Sequence, residues 1–161
     1  MIRHKDGTKE LKELDLKTFE YKDTEKPKFK ALEASKEIED LKKRIKFLVN
    51  FDDRAGEFYR ASFYDLFKYC SHRIPEISDE LYRIDQAVSA GFGWELGPYE
   101  VWDSLGVKEG VEMMKANGKT PAAWVTEMLD AGNSSFYKVE NGIKSYYDIP
   151  SKSYKAIPGQ D

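Results

Sequence analysis

Few residues of this chain have the chemistry for catalysis, and their spacing gives most of them structural work. Its 161 residues include two histidines, His4 and His72, and one cysteine, Cys70. A zinc site needs clustered His, Cys or carboxylate ligands at short spacing, and no such cluster occurs. His4 falls in what reads as a frayed end. His72 falls near a predicted helix C-terminus, where the dipole mildly favours an imidazolium, and reads as a capping or surface residue. Cys70 sits among aromatic residues and reads as a small buried hydrophobe rather than a nucleophile. Glu76, Asp79 and Glu80 gather where a helix should begin, which explains them without an acid–base pair.

The glycine-rich run Gly91-Phe-Gly93-Trp-Glu-Leu-Gly97 comes nearest to a dinucleotide loop, and it fails on three counts. Its spacing is G-x-G-x-x-x-G, it follows a helical pattern rather than a strand, and bulky Phe92 and Trp94 stand where a pyrophosphate would approach. No Gly-Lys-Ser/Thr phosphate loop is present. The sequence therefore predicts no catalytic, cofactor-binding or metal-binding residue. The same run reads instead as a tight corner between helices, where glycines permit close backbone approach and Trp94 and Trp102 fill the gap. Phe92, Trp94, Gly97, Pro98, Tyr99 and Trp102 are the candidates for seating a neighbouring domain at that corner.

The elements around the corner follow from periodicity. Residues 1–31 read as an appendage: two short strands, Leu11–Leu16 and Phe19–Lys22, around a tight turn, then a charged linker broken by Pro27. A lone two-stranded hairpin is marginal, so it must lean on something else. Residues 32–132 form the helical domain. Leu32, Ile38, Leu41, Ile45 and Leu48 keep helical spacing through Asn50. Asp52 or Asp53 can cap a second, aromatic-rich helix running to about Ser71. Ser78 caps a third, which Gly91 ends. Gly97-Pro98 opens the next and Gly106 closes it. A short helix over Lys108–Ala116 follows, and Thr120-Pro121 starts a last one ending at Gly132. Residues 133–161 form a β tail, with Asn141-Gly142 as a type I′ turn between Phe136–Val139 and Ile143–Asp148, and a third strand over Ser153–Ala156. The fold class is mainly α, five or so helices with small flanking β-hairpins.

Composition narrows the function classes. Hydrophobic residues are 40% and charged residues 34%, a balance suited to a helix-rich globule. No run approaches the ~20 apolar residues needed to cross a bilayer, and no apolar stretch follows the N-terminal charges, so neither a membrane span nor a secretory leader is expected. A lone cysteine can form no intrachain disulfide, and a cytoplasmic location is the expectation. Residues 1–50 carry 14 Lys/Arg against 11 Asp/Glu, whereas residues 71–131 carry 5 against 11. A nucleic-acid module concentrates positive charge on its folded part, and this chain does the reverse. The basic arm could meet a polyphosphate or an acidic partner, or simply be a solvated segment.

Ile84-Asp-Gln-Ala87, followed by Gly91-Phe-Gly-Trp-Glu-Leu-Gly-Pro-Tyr-Glu-Val-Trp-Asp-Ser-Leu-Gly-Val107, closely resembles the C-terminal helical domain of 3-hydroxyacyl-CoA dehydrogenases. Asp52-Asp-Arg-Ala-Gly56, Arg73-Ile-Pro-Glu-Ile77 and the tail from Pro121 through Ser134–Lys138 look like the same family. The N-terminal hairpin, the Pro27-Lys-Phe29 linker and the tail resemble prokaryotic bifunctional proteins that join such a dehydrogenase to an enoyl-CoA hydratase, with two copies of the helical domain. This chain looks like the second copy.

The resemblance implies a parent enzyme that oxidises a 3-hydroxyacyl-CoA with NAD in fatty-acid β-oxidation. Its catalytic His–Glu pair and NAD loop belong to a preceding Rossmann domain and have no counterpart here, so the chain alone should be inactive. The implied partners are the Rossmann and sister helical domains, acyl-CoA in the parent enzyme, and potentially a second copy of the chain; neither nucleic acid nor membrane is among them. Similar domains close over the acyl-CoA or build the dimer. The rival expectations are a free-standing helical protein-interaction module and an independent acyl-CoA carrier.

Overall fold

The computed structural model describes residues 2–3 and 6–160, the first two by backbone alone. His4 lies outside the described residues. The architecture is mainly α with small antiparallel hairpins, as the periodicity predicts, but seven helices are present among the described residues.

The N-terminal arm holds two small antiparallel pairs, β1 (Ile2–Arg3) with β2 (Lys9–Glu10), and β3 (Lys12–Leu14) with β4 (Tyr21–Asp23). The second pair is shorter than the sequence suggests and its turn wider. The Asp15 carbonyl accepts from Phe19 N, and the Asp15 carboxylate accepts from Lys17 N, which draws residues 15–20 into a loop. Leu11, Leu14, Leu16, Phe19 and Tyr21 all remain exposed.

The single helix expected from Leu32 to Asn50 is two, α1 (Lys30–Ser35) and α2 (Leu41–Asn50). Between them Asp40 caps α2 by accepting from Lys43 N, and Arg44 reaches back to the Ile38 and Glu39 carbonyls. Those side chains satisfy the backbone groups that a continuous helix would have paired. Of the two candidate caps for α3 (Arg54–His72), Asp53 is the one used, accepting from Gly56 N and, across to α1, from Ala31 N.

α4 begins at Leu81, with Glu80 rather than Ser78 at the cap position, and it runs through Gly91 to Phe92. Ser78 forms a turn with Glu80 instead of capping the helix, and the left-handed stop is Gly93, at φ +68°. Gly97 and Pro98 open α5 (Pro98–Leu105) as expected. Gly106, at φ +98°, ends α5 and starts α6 (Val107–Ala116). α7 (Ala123–Asp130) starts later than Thr120-Pro121, because residues 120–122 run along α3: His72 Nε2 meets the Thr120 carbonyl and Ala122 N donates to Ser71 Oγ.

The tail is a three-stranded antiparallel sheet, β5 (Tyr137–Glu140), β6 (Ile143–Asp148) and β7 (Ser153–Ala156). Asn141 and Gly142 both take positive φ, giving the turn that this dipeptide predicts. Phe136, Tyr146 and Tyr147 enter the same core as α3, α4, α5, α6 and α7. At its centre the Trp102 ring stacks on Phe67 at 4.9 Å, with Phe136 edge-on at 5.0 Å. No helix among the described residues is long and apolar enough to cross a membrane.

Candidate functional site

The densest polar feature is the corner where α4, α5 and the tail sheet meet, and it is built on two acidic residues. Asp85 lies on the inward face of α4, one turn after Leu81, and is 4% exposed. Its Oδ1 accepts from Tyr99 N at 2.9 Å, and its Oδ2 accepts from Glu100 N at 3.0 Å and from the Tyr137 hydroxyl at 2.9 Å. Asp103, on the next helix, accepts from Phe136 N at 2.7 Å and Tyr137 N at 2.9 Å. The two carboxylates thus tie α4 to the first turn of α5, and α5 to β5.

Burial dominates their electrostatics. It pushes the Asp85 carboxyl up to about 7, while the Tyr99 amide and Tyr137 hydroxyl pull the other way. It also raises Asp103 to about 7 against the Phe136 and Tyr137 amides. Burial likewise raises the Tyr137 and Tyr99 hydroxyls. The Tyr99 hydroxyl donates to the Cys70 carbonyl, tying α5 to α3. Cys70 itself is buried and its thiol is pushed up to about 12, so almost none is thiolate near neutrality. Every Asp85 oxygen is engaged by the protein, which suits a structural tether rather than a general base.

The six corner candidates separate. Phe92 is 78% exposed and Trp94 is 43% exposed, so both are free to meet a neighbour. Gly97, Pro98, Tyr99 and Trp102 are interior. Buried in this way, they shape the corner from within. Trp94 does not fill the interhelical gap. The packing is supplied by Trp102 and by Phe136, a residue singled out only as a strand position. Gly97 is needed because a Cβ there would collide with the Asp85 side chain.

Sequence reading passed over Asp85 and Asp103 as a pair. The available signal was a carboxylate at i+4 from Leu81, on the apolar stripe of an amphipathic helix. Their partners, up to 52 residues away, left no local trace.

The corner does not fit a dinucleotide. The first turn of α5, where a phosphate would approach free N–H groups, already carries the Glu100 carboxylate on Gly97 N and the Asp85 carboxylate on Tyr99 N and Glu100 N. Gly91 lies in the last turn of α4 and Gly93 ends that helix, so neither glycine follows a strand. Among the described residues no group of three or more His, Cys, Asp or Glu could hold a metal ion.

Comparison with known proteins gives the relationship. Over 154 residues, 96% of the chain, it is 41% identical to a Bacillus subtilis (strain 168) protein named as a probable 3-hydroxyacyl-CoA dehydrogenase. This chain is related to 3-hydroxyacyl-CoA dehydrogenases. The resemblance carried by Ile84–Val107 is borne out. A second relative, from Rickettsia felis (strain ATCC VR-1525 / URRWXCal2), is named as a fatty acid oxidation complex trifunctional enzyme and is 24% identical over 103 residues, 63% of the chain. The chain spans only 19% and 14% of the lengths of these two relatives, respectively. No protein-family model and no solved structure matches it.

Proposed function

We propose that this chain is the non-catalytic C-terminal helical domain of an NAD-dependent 3-hydroxyacyl-CoA dehydrogenase acting in fatty-acid β-oxidation, serving as dimerising surface or substrate wall. The observation that carries this reading is the 41% identity across nearly the whole chain to a segment amounting to 19% of a protein named for that activity. A segment of that share supplies one part of an enzyme. The internal chemistry agrees: Asp85, Asp103 and Tyr137 are spent on one another and on backbone groups, and the corner leaves no cradle for NAD. In this reading NAD and the reacting carbon are held by a Rossmann domain, and acyl-CoA and the sister helical domain are the neighbours of this one. The setting is the cytoplasm.

Two measurements test it. The purified chain, given a 3-hydroxyacyl-CoA and NAD, should produce no NADH above the uncatalysed rate, and turnover would overturn the non-catalytic assignment. Deleting the corresponding segment from the Bacillus subtilis relative should cost that protein most of any dehydrogenase activity. Unchanged kcat/KM after deletion would leave the chain as a free-standing interaction module.

A further inference from the structure

Tyr64 lies one turn after Arg60 on α3, so the two side chains share a face. Tyr64 is only 7% exposed, yet among the described residues its hydroxyl has no hydrogen-bond partner. A buried hydroxyl normally finds one. This one is not sealed off, because Arg73 Nε is the one fully buried side-chain polar atom without a partner among the described residues. Tyr64 opens instead on a cleft of about 360 Å³ between α2, α3 and α6. Arg60 borders the same cleft and is held there, its Nη1 donating to the Val49 carbonyl at 2.7 Å and the Phe51 carbonyl at 2.9 Å. Among the described residues its Nε and Nη2 have no acceptor. They form the guanidinium edge that grips a carboxylate through two parallel bonds.

The walls of the cleft carry opposite charges that do not meet. Lys46 of α2 stands with Arg60 on one side, and Glu109 and Glu112 of α6 stand on the other. Among the described residues, the side chains of Lys46, Glu109 and Glu112 have no ion-pair or hydrogen-bond partner. Glu109 is nonetheless well placed. A Cβ at Gly106 would lie 2.3 Å from its Oε2, so the carboxylate folds back over the start of α6. Apolar Val49, Leu105 and Met113 complete the lining. Burial raises the Tyr64 hydroxyl and the Arg60 guanidinium opposes that, so the hydroxyl stays a donor close to the cation.

We propose that this cleft binds a small zwitterion, an α-amino acid with an apolar side chain. Its carboxylate takes the free Arg60 edge and the Tyr64 hydroxyl, and its ammonium takes Glu109 with Glu112. Its side chain covers Val49, Leu105 and Met113. A simple anion would face the two glutamates, and a simple cation would face the guanidinium. A ligand of both signs leaves neither wall unpaired. The volume is near the lower end for a small-molecule pocket, which suits a ligand of this size. The neighbouring cleft beyond Tyr64 does not repeat the pattern, because its Lys119 is already paired with Asp65. The site stands apart from the architectural reading above, and either can fail alone.

Isothermal titration calorimetry of the purified chain at neutral pH tests this. It compares L-leucine with isocaproate, which lacks the ammonium, and with isoamylamine, which lacks the carboxylate. Leucine should bind with a dissociation constant on the order of 100 μM, and each half-ligand at least about tenfold more weakly. Tyr64→Phe keeps the ring in the core and should weaken leucine by roughly tenfold. Its urea midpoint should not move, since the hydroxyl has no partner to lose. Glu109→Gln, at an exposed position, should weaken leucine by a similar factor while isocaproate binds no more weakly than before. Arg60 is left in place because it also ties down the end of α2. Absence of heat from leucine at about 10 mM would overturn the proposal. So would either half-ligand binding as tightly as leucine, or Tyr64→Phe binding leucine unchanged.

Discussion

A carboxylate among apolar side chains is costly unless its lone pairs are taken, and at the α4–α5 corner they are. Asp85 and Asp103 each have donors on both oxygens, yet burial still raises both to about 7. In the unfolded chain they titrate near the ordinary value of about 3.9. Between those limits the folded chain holds protons that the unfolded chain has released, so their contribution to stability falls as pH rises from about 4 through about 7. Glu80, lowered by the Arg83 guanidinium, and Asp53, lowered by the Gly56 amide, act oppositely. Their contribution is lost only on acidification below the ordinary carboxylate range. The urea midpoint should therefore be higher near pH ~5 than near pH ~8, with a shallower slope in Asp85→Asn; an equal slope would place the titrating group elsewhere. Trp102 supplies the corner's apolar half. Its ring is fully buried against Phe67 and Phe136, so Trp102→Ala should cost about 3–5 kcal/mol in chemical denaturation. A loss below about 1 kcal/mol would show that the ring is not the keystone of this packing.

At the scale of elements, what is encoded locally was legible and what is settled by distant partners was not. Asn141-Gly142 dictates its own turn, and the register of β5 on β6 follows from it, with Glu140 opposite Ile143. Gly97-Pro98 likewise announces α5. The break at residues 36–40 leaves no such mark, because Leu32, Ile38, Leu41 and Ile45 keep helical spacing straight across it. The signal is the competition of Asp40 and Arg44 for backbone groups. Trp94 and Trp102 are the same residue type eight positions apart, and only the packed structure separates the exposed ring from the buried one. The Asp85 tether was hidden for the same reason, since its partners lie 14 to 52 residues downstream. Gly91 offers a check on the placement of α4's end. It lies inside the helix, its φ is not positive and its Cβ position is open. Gly91→Ala should thus stabilise the fold by about 0.5–1 kcal/mol in urea denaturation, by restricting the unfolded chain and favouring helix. Destabilisation would mean that the helix stops at Gly91, as the sequence reading had it.

For the molecule as a whole, the two β appendages flanking the helices have opposite relations to the core. The N-terminal arm leaves five large apolar side chains in solvent, and its polar contacts, Lys12 with Asp23 and Lys22 with Glu13, are exposed pairs within the hairpin, worth little in water. The tail sheet commits Phe136, Tyr146 and Tyr147 to the interior and is bound through Asp103 and the Tyr137 hydroxyl. Burying one such aromatic is worth about 1.5–3 kcal/mol, so three of them amount to most of the stability of a typical small domain. Two truncations should therefore behave very differently. A chain beginning at Lys28, which keeps Phe29 and Ala31 for the α1 packing, should unfold at nearly the same urea concentration as the whole chain. A chain ending at Gly132 should fail to give a cooperative transition, since its loss opens the Trp102 ring and strips Asp85 and Asp103 of their sheet donors. If the second truncation folded as well as the first, the sheet would be an ornament on a self-sufficient helical body, and the corner could not owe its rigidity to the two carboxylates.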